Sequence, residues 1–315
     1  MSRVQSGVWL TVASGLAFAS SGPLAKSVLA AHWSPGAILA VRLTGAAAVV
    51  LLVAALTDRR ELRASPRHLR TITAFGVVAV AGVQATFFLS LQYLQVGVAL
   101  MIQFLAPIVV IVWDWVVRRR RPSARTLTGA AVALAGAALV IDVLHTDGLS
   151  PAGLGWAALS MLCNAAFFLL SARTSDSLSP VTLLGAGLGV AALTAWVLGL
   201  ATVLPLHFGA STAVMAEREL PVWVALALLI AISTVVAYLC GVAGAARIGS
   251  TLMSLVLLSE VLFAVVLARI LLGEAIAPVQ MAGAVLLVGG IALARSGDGR
   301  PVGSRSQVPQ HSPTA

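Results

Sequence analysis

Ten apolar stretches of membrane-spanning length follow one another along this chain, near residues 7 to 30, 36 to 56, 71 to 92, 96 to 117, 125 to 143, 152 to 172, 180 to 204, 220 to 243, 249 to 272 and 278 to 295. A helix rises about 1.5 Å per residue, so roughly 20 apolar residues cross a hydrocarbon core of about 30 Å. With 59% hydrophobic and only 10% charged residues, the chain carries more apolar surface than one water-soluble core can hide. The stretches are rich in Leu, Ala, Val and Gly without polar/apolar alternation, which predicts helices and excludes a transmembrane barrel. The expected fold class is therefore an all-α polytopic membrane protein with ten transmembrane helices.

The tenth stretch repeats the character of the fifth. Thr128-Gly129-Ala130 through Gly136 lines up with Ala282-Gly283-Ala284 through Gly290, an offset of 154 that also pairs Pro107 with Val261. Upstream the register drifts by a couple of residues, so that Gly97 matches Gly249. Five helices per half is an odd number, so the second copy must enter the bilayer upside down relative to the first, as in alternating-access carriers. The expected organisation is one repeat over residues 1–146, a second over 147–295, and a disordered cytoplasmic tail over 296–315, where Ser, Gly, Pro, Gln and Arg prevail. Glycines two turns apart on one helix face predict close backbone packing.

A net charge of +9 would suit nucleic acid, but the placement of the charges excludes it. With the N-terminus in the cytoplasm, 16 of the 20 basic residues fall on cytoplasmic segments, leaving Lys26, Arg42, Arg218 and Arg269 near or on the other side. This asymmetry obeys the positive-inside rule and puts both termini inside, in a cell inner (plasma) membrane. The Arg118 to Arg121 run reads as a topology anchor, with an anionic-lipid contact as the alternative. Trp9, Trp113 and Trp115 fall near inner helix ends, and Trp33, Trp156 and Trp223 near outer ones, as interfacial belts require. Cys163 and Cys240 stand singly in two spans, and all five histidines fall in loops or the tail. No metal-ligand spacing, phosphate loop or nucleophile with a base is present, so the chain is expected not to be an enzyme and to need neither cofactor nor metal. Arg3 before a long apolar run resembles a signal peptide, but the run is too long and Lys26 interrupts its end.

The runs Leu257-Leu258-Ser259-Glu260 and Leu271-Leu272-Gly273-Glu274, followed by Pro278, Gln280 and Gly283, together with Gly97-Val98-Ala99 and Leu105-Ala106-Pro107, resemble the EamA-type family of the drug/metabolite transporter superfamily. The resemblance extends from about residue 7 to 295. It implies two inverted five-helix repeats and a carrier function. Ser21-Gly22-Pro23-Leu24-Ala25-Lys26-Ser27, Pro35-Gly36, Val41-Arg42-Leu43 and Ser90-Leu91-Gln92-Tyr93 are similar to the threonine/homoserine exporters of that family. Three departures stand out. Gln103 replaces an acid of that subgroup, Arg119-Arg120 replaces a Gly-Glu pair after helix four, and Val261 replaces the proline of a Glu-Pro pair in helix nine, which predicts that the kink there is missing.

A charge at the bilayer centre costs at least about 2.5 kcal/mol, so each one needs a reason. Glu260, near the middle of span nine, is the expected coupling residue, for a proton or a substrate amine; a structural acid stapling two helices is the alternative. Lys26 and Arg42, in the outer thirds of two helices joined by a short loop, are expected to draw a carboxylate, which Arg binds bidentately. Snorkelling is the alternative for Lys26, and inter-helix pairing for Arg42. Gln84, Gln103, Asn164 and Tyr238, with Ser233 and Thr234, supply the polar lining of a midplane pocket, or else bond neighbouring helices. Arg269 and Glu274 could pair at an outer gate, and Asp114 is expected to pair with Arg118 one turn on.

The predicted function is a secondary active transporter, proton-coupled, that exports a small polar organic metabolite such as an amino acid. An uncoupled exchanger or facilitator of metabolites or drugs is the alternative, and a polytopic membrane enzyme or lipid-handling protein is the rival of another class. The expected partners are a small-molecule substrate, protons and membrane lipids; a homodimer is compatible with the sequence, and nucleic acid is not.

Overall fold

The chain folds into a helical bundle, seen in a computed structural model that describes residues 3–57, 59–64, 68–94, 96–119, 121–141, 150–173, 179–215, 218–272 and 278–297. The elements run α1 (Arg3–Ala19), α2 (Ser21–Ala30), α3 (Pro35–Thr57), α4 (Arg59–Ala64), α5 (Leu69–Ala74), α6 (Val83–Ser90), α7 (Val96–Gln103), α8 (Ala106–Val116), α9 (Ala124–Ile141), α10 (Pro151–Arg173) and α11 (Pro180–Leu200). Strands β1 (Thr212–Met215) and β2 (Arg218–Pro221) follow, then α12 (Val222–Ile230), α13 (Ala237–Leu257), α14 (Ser259–Leu272) and α15 (Pro278–Gly297). Among the described residues, six helical stretches are long and apolar enough to cross a membrane: Arg3–Ala30, Pro35–Thr57, Leu69–Ser90, Pro151–Ala172, Pro180–Leu200 and Val222–Leu257. Ala106–Val116, Ala124–Leu139 and Met281–Ala294 are shorter apolar helices.

The all-α expectation fails at one place. Thr212–Met215 and Arg218–Pro221 form an antiparallel pair with Thr212 opposite Pro221 and Val214 opposite Glu219. Ala213 tucks against the Leu24, Val28 and Val222 cluster while Val214 on the next pleat is exposed, the period-two pattern of a half-buried strand. Residues 296 and 297 continue the last helix, and the rest of the predicted tail lies outside the described residues.

Contacts between the halves are reciprocal. Gly129 and Gly136 on α9 face Gly290 and Gly283 on α15, and a Cβ at Gly129 or at Gly136 would come within 2.7 Å of the carbonyl oxygen of Gly290 or Gly283. The copy of Gly129 is Gly283 and the copy of Gly136 is Gly290, so each glycine meets the partner of its own copy, as a two-fold relation between halves requires. Main chain touches main chain there because no side chain intervenes.

The same relation governs the helix caps and the wide turns. Ser34 and Ser179 cap α3 and α11, accepting hydrogen bonds from the N–H groups of Ala37 and Thr182, and each is followed by a proline at the first helical position. Residues Phe75–Gly82 and Ala231–Val236 are π-helical, wound with bonds five residues apart, and lie at matching places in the two halves. Just beyond each wide turn a serine closes the freed main chain: Ser160 donates to the carbonyl of Val83 at 3.0 Å, and Ser14 to that of Ala237 at 2.7 Å.

Among the described residues, the helices are interrupted at several places inside the bundle. The first span breaks at Ser20, and the fourth breaks at Phe104–Leu105, just before Pro107. Contrary to the sequence expectation, the ninth is also interrupted, at Leu258, although no proline stands there. The N–H groups of Leu258 and Val261 donate to carbonyls three residues back, a tightened turn that needs no proline. The eighth and ninth spans meet at Gly249, whose φ of 78° and ψ of 170° turn the chain in a region open to glycine.

Candidate functional site

Arg42 lies on α3 where it crosses the wide turn between α12 and α13, and only 6% of it is exposed. Its guanidinium is held by both halves of the chain. Nε donates to Thr234 Oγ1 at 2.6 Å, Nη1 to Ser21 Oγ at 3.0 Å and to Gln84 Oε1 at 3.2 Å, and Nη2 to the carbonyl of Ser233 at 2.9 Å. The wide turn makes two of these bonds available. Its looser winding lets Thr234 donate its own proton to the carbonyl of Leu229, five residues back, while its oxygen accepts from Arg42. All four acceptors are neutral, so among the described residues the guanidinium has no carboxylate at hydrogen-bonding distance, and one of its five N–H groups keeps no partner.

Gln84 continues the network from Arg42 to Tyr238, donating to its hydroxyl at 3.5 Å. The Tyr238 ring is fixed by edge-on contacts with Phe18 on α1 and Phe167 on α10, at centroid distances of 4.9 and 5.5 Å. Ser20, at the break in the first span, shares a 2.7 Å hydrogen bond with Ser233. Glu260 is the second residue of α14, packed beside Gly15 of α1, and half-buried. It makes no hydrogen bond to a described residue, yet it lies within electrostatic reach of Arg42 and Tyr238.

The structure thus brings together Arg42, Gln84 and Tyr238, with Glu260 close by. It treats the other predicted residues differently. Lys26 lies on the exposed side of α2 while Arg42 is buried, so the two cations do not share a setting. Gln103 is the last residue of α7 and Asn164 sits mid-way along α10; both are half-buried, and neither is hydrogen-bonded to the Arg42 network. Arg118 pairs with Asp114 at 3.1 Å, as their spacing predicts. The side chain of Arg269 and all of Glu274 lie outside the described residues. No group of three or more metal-binding side chains occurs among the described residues.

Ser21 was not anticipated as a partner of Arg42, nor were Ser14 and Ser160 as closures of the wide turns. A lone serine in an apolar helix carries little signal. The matched ends of the two wide turns, at Gly82 and Val236, place Gln84 and Tyr238 at one position of two copies, a pairing that the drifting sequence offset did not supply.

Comparison with known proteins agrees with this architecture. A solved crystal structure of another protein superposes on 93% of this chain and 98% of its own with a TM-score of 0.75 and 17% identity, a likeness of fold. An uncharacterised inner membrane transporter of Salmonella typhimurium strain LT2, YicL, is 25% identical over 225 residues, 71% of this chain and 72% of that protein. The sequence profile of the EamA-like transporter family matches twice, over residues 5–142 and 151–296. This chain belongs to the EamA-like transporter family, and it is a multi-pass membrane protein.

Proposed function

We propose that the protein is a secondary carrier of the inner membrane that exports a small polar metabolite bearing a carboxylate, an amino acid among the candidates, by rocking two inverted repeats about the Arg42 network. In this reading ten spans cross the bilayer, four of them shorter or interrupted, with both termini in the cytoplasm and one repeat on either side of residue 146. The threonine/homoserine exporter subgroup remains the narrower candidate.

The observation that carries the reading is the buried guanidinium itself. A charge this deep is costly, and hydrogen bonds donated to neutral acceptors of both halves offset the cost without cancelling the charge. A carboxylate entering beside Arg42 would gain a charge-assisted bond that no resident group makes. Gln84 and Tyr238 would orient it, Gln103 and Asn164 would line the approach, and Lys26 would draw anions toward the outer end of the path. Glu260 would carry the coupling proton or meet a substrate amine, since its carboxyl makes no hydrogen bond to a described residue. The family and the YicL likeness favour a transporter over an enzyme.

Metabolites inside and outside cells with and without the protein should differ in a small carboxylate, and that compound should then be carried by purified protein in liposomes. Glu260→Gln should abolish flux driven by a pH gradient while substrate exchange continues. Undiminished gradient-driven flux in that variant removes the coupling role and leaves an exchanger.

A further inference from the structure

Hydrogen bonds tie the halves together at both ends of the bundle. At one end the main-chain N–H of Ser179 donates to the Glu61 carboxylate in the segment after α3; at the other the N–H of Ser34 donates to the carbonyl of His207 at 2.9 Å, in the segment after α11. Ser34 and Ser179 are copies of one another, and the Ser34 end carries further bonds between the halves: Ser34 Oγ donates to the carbonyl of Pro205 at 2.7 Å, and the N–H of Ala210 donates to the carbonyl of Ala31 at 2.8 Å.

Asp114 makes a further contact between the halves. It lies near the end of α8, and its Oδ2 accepts from Thr251 Oγ1 at 2.6 Å and from Ser250 Oγ at 3.5 Å, while Arg118 sits 3.1 Å from Oδ1. This joins the first half to the second at the end of the bundle where Arg118 and Arg247 lie. By the repeat, Asp114 corresponds to Ala268, Arg118 to Leu272 and Thr251 to Ala99, so the copied positions cannot repeat the bond. Thr251 also stands two residues beyond Gly249, where a φ of 78° turns the chain between two helical segments.

We propose that Asp114 and Thr251 form a latch that holds this end of the carrier closed, cytoplasmic in the topology above. The proposal rests on the alternating-access reading, and the test separates the two. A hydrogen bond to a charged group, made in one state and broken in the other, is strong enough to shift their ratio about tenfold or more.

In a background with Cys163 and Cys240 replaced by serine, Val110→Cys reports from one turn inside the latch and Ala25→Cys from the opposite part of the bundle. Labelling by a membrane-impermeant maleimide is followed in inside-out and right-side-out vesicles. Thr251→Val should raise the rate at position 110 from the cytoplasmic face about tenfold and lower the rate at position 25 from the other face; Asp114→Asn should do the same to a smaller degree, and Thr251→Ser should keep the parent rates. No change at position 110 in Thr251→Val and Asp114→Asn overturns the latch and leaves alternation standing. A rise at position 110 without a fall at position 25 is local loosening and overturns both.

Discussion

Gln84 and Tyr238 are the same position in two copies of one repeat, 154 residues apart, and each is the other's hydrogen-bond partner. A two-fold relation between the halves brings equivalent residues face to face only where its axis passes, so this pair marks the centre of the bundle. The two copies have diverged there. One offers an amide that can donate and accept; the other offers a phenol. The divergence extends to Arg42, whose counterpart after Ser179-Pro180 is Gly187, with the Phe75 ring packed where an Arg side chain would run. The scaffold is symmetric, and the polar centre is not.

Arg42 should not be replaceable by lysine. An ammonium cannot reach Thr234, Ser21, Gln84 and the Ser233 carbonyl at once, because these acceptors are spread around a planar fork. Losing two such charge-assisted bonds, each worth about 1.5–3 kcal/mol, predicts a fall in transport of about 100-fold or more in both Arg42→Lys and Arg42→Gln. Initial rates in proteoliposomes, normalised to inserted protein, check it.

The glycine seam yields a contrast between neighbours. Gly290→Ala pushes a methyl group into the main chain of α9, whereas nothing lies within 4 Å of the Cβ that Gly289→Ala would add. The first change should destabilise by about 1–3 kcal/mol, as overpacking does. The second should be neutral or stabilising by up to about 1 kcal/mol, from helix propensity. Thermal unfolding in detergent, with ligand-free protein, distinguishes them.

The two serines that close the wide turns should behave alike. Ser14→Ala and Ser160→Ala each leave a buried carbonyl short of a partner, at a cost of about 1–3 kcal/mol. The sites have no shared partner, so the double variant should lose close to the sum. A much smaller loss at one site would show that its wide turn is held by something else.

At Tyr238 ring and hydroxyl can be separated. Tyr238→Phe keeps the contacts with Phe18 and Phe167 and gives up only a long 3.5 Å bond, so stability should change by less than about 1 kcal/mol. Tyr238→Ala should cost about 3–5 kcal/mol through the cavity it leaves. If the hydroxyl orients substrate, Tyr238→Phe lowers transport while its melting temperature stays at the parent value.

Most of the bundle was legible in the sequence because its signals are long. Apolar runs, arginine placement and the Gly129/Gly283 echo each extend over many residues, and chance rarely imitates them. Of the site, the charged residues were legible, since a charge in an apolar run must be explained. What escaped was the winding of the main chain. Phe75–Gly82 and Ala231–Val236 are as apolar as any helix, and nothing in their composition foretells bonds five residues apart. Pairings that depend on that winding, such as Arg42 with Thr234, could not be read either. Asp114 escaped in part for a related reason: its bond to Arg118 is local and readable from spacing, and its bond to Thr251 spans 137 residues.

The seam of Gly129, Gly136, Gly283 and Gly290 has one more consequence. Backbone in contact with backbone has no rotamers to exchange and no side chains to interleave afresh, so α9 and α15 cannot slide past one another in steps as ridged helices do. In the alternating-access reading proposed above, a motion of the halves that keeps this contact would pivot about it, with the seam as its axle.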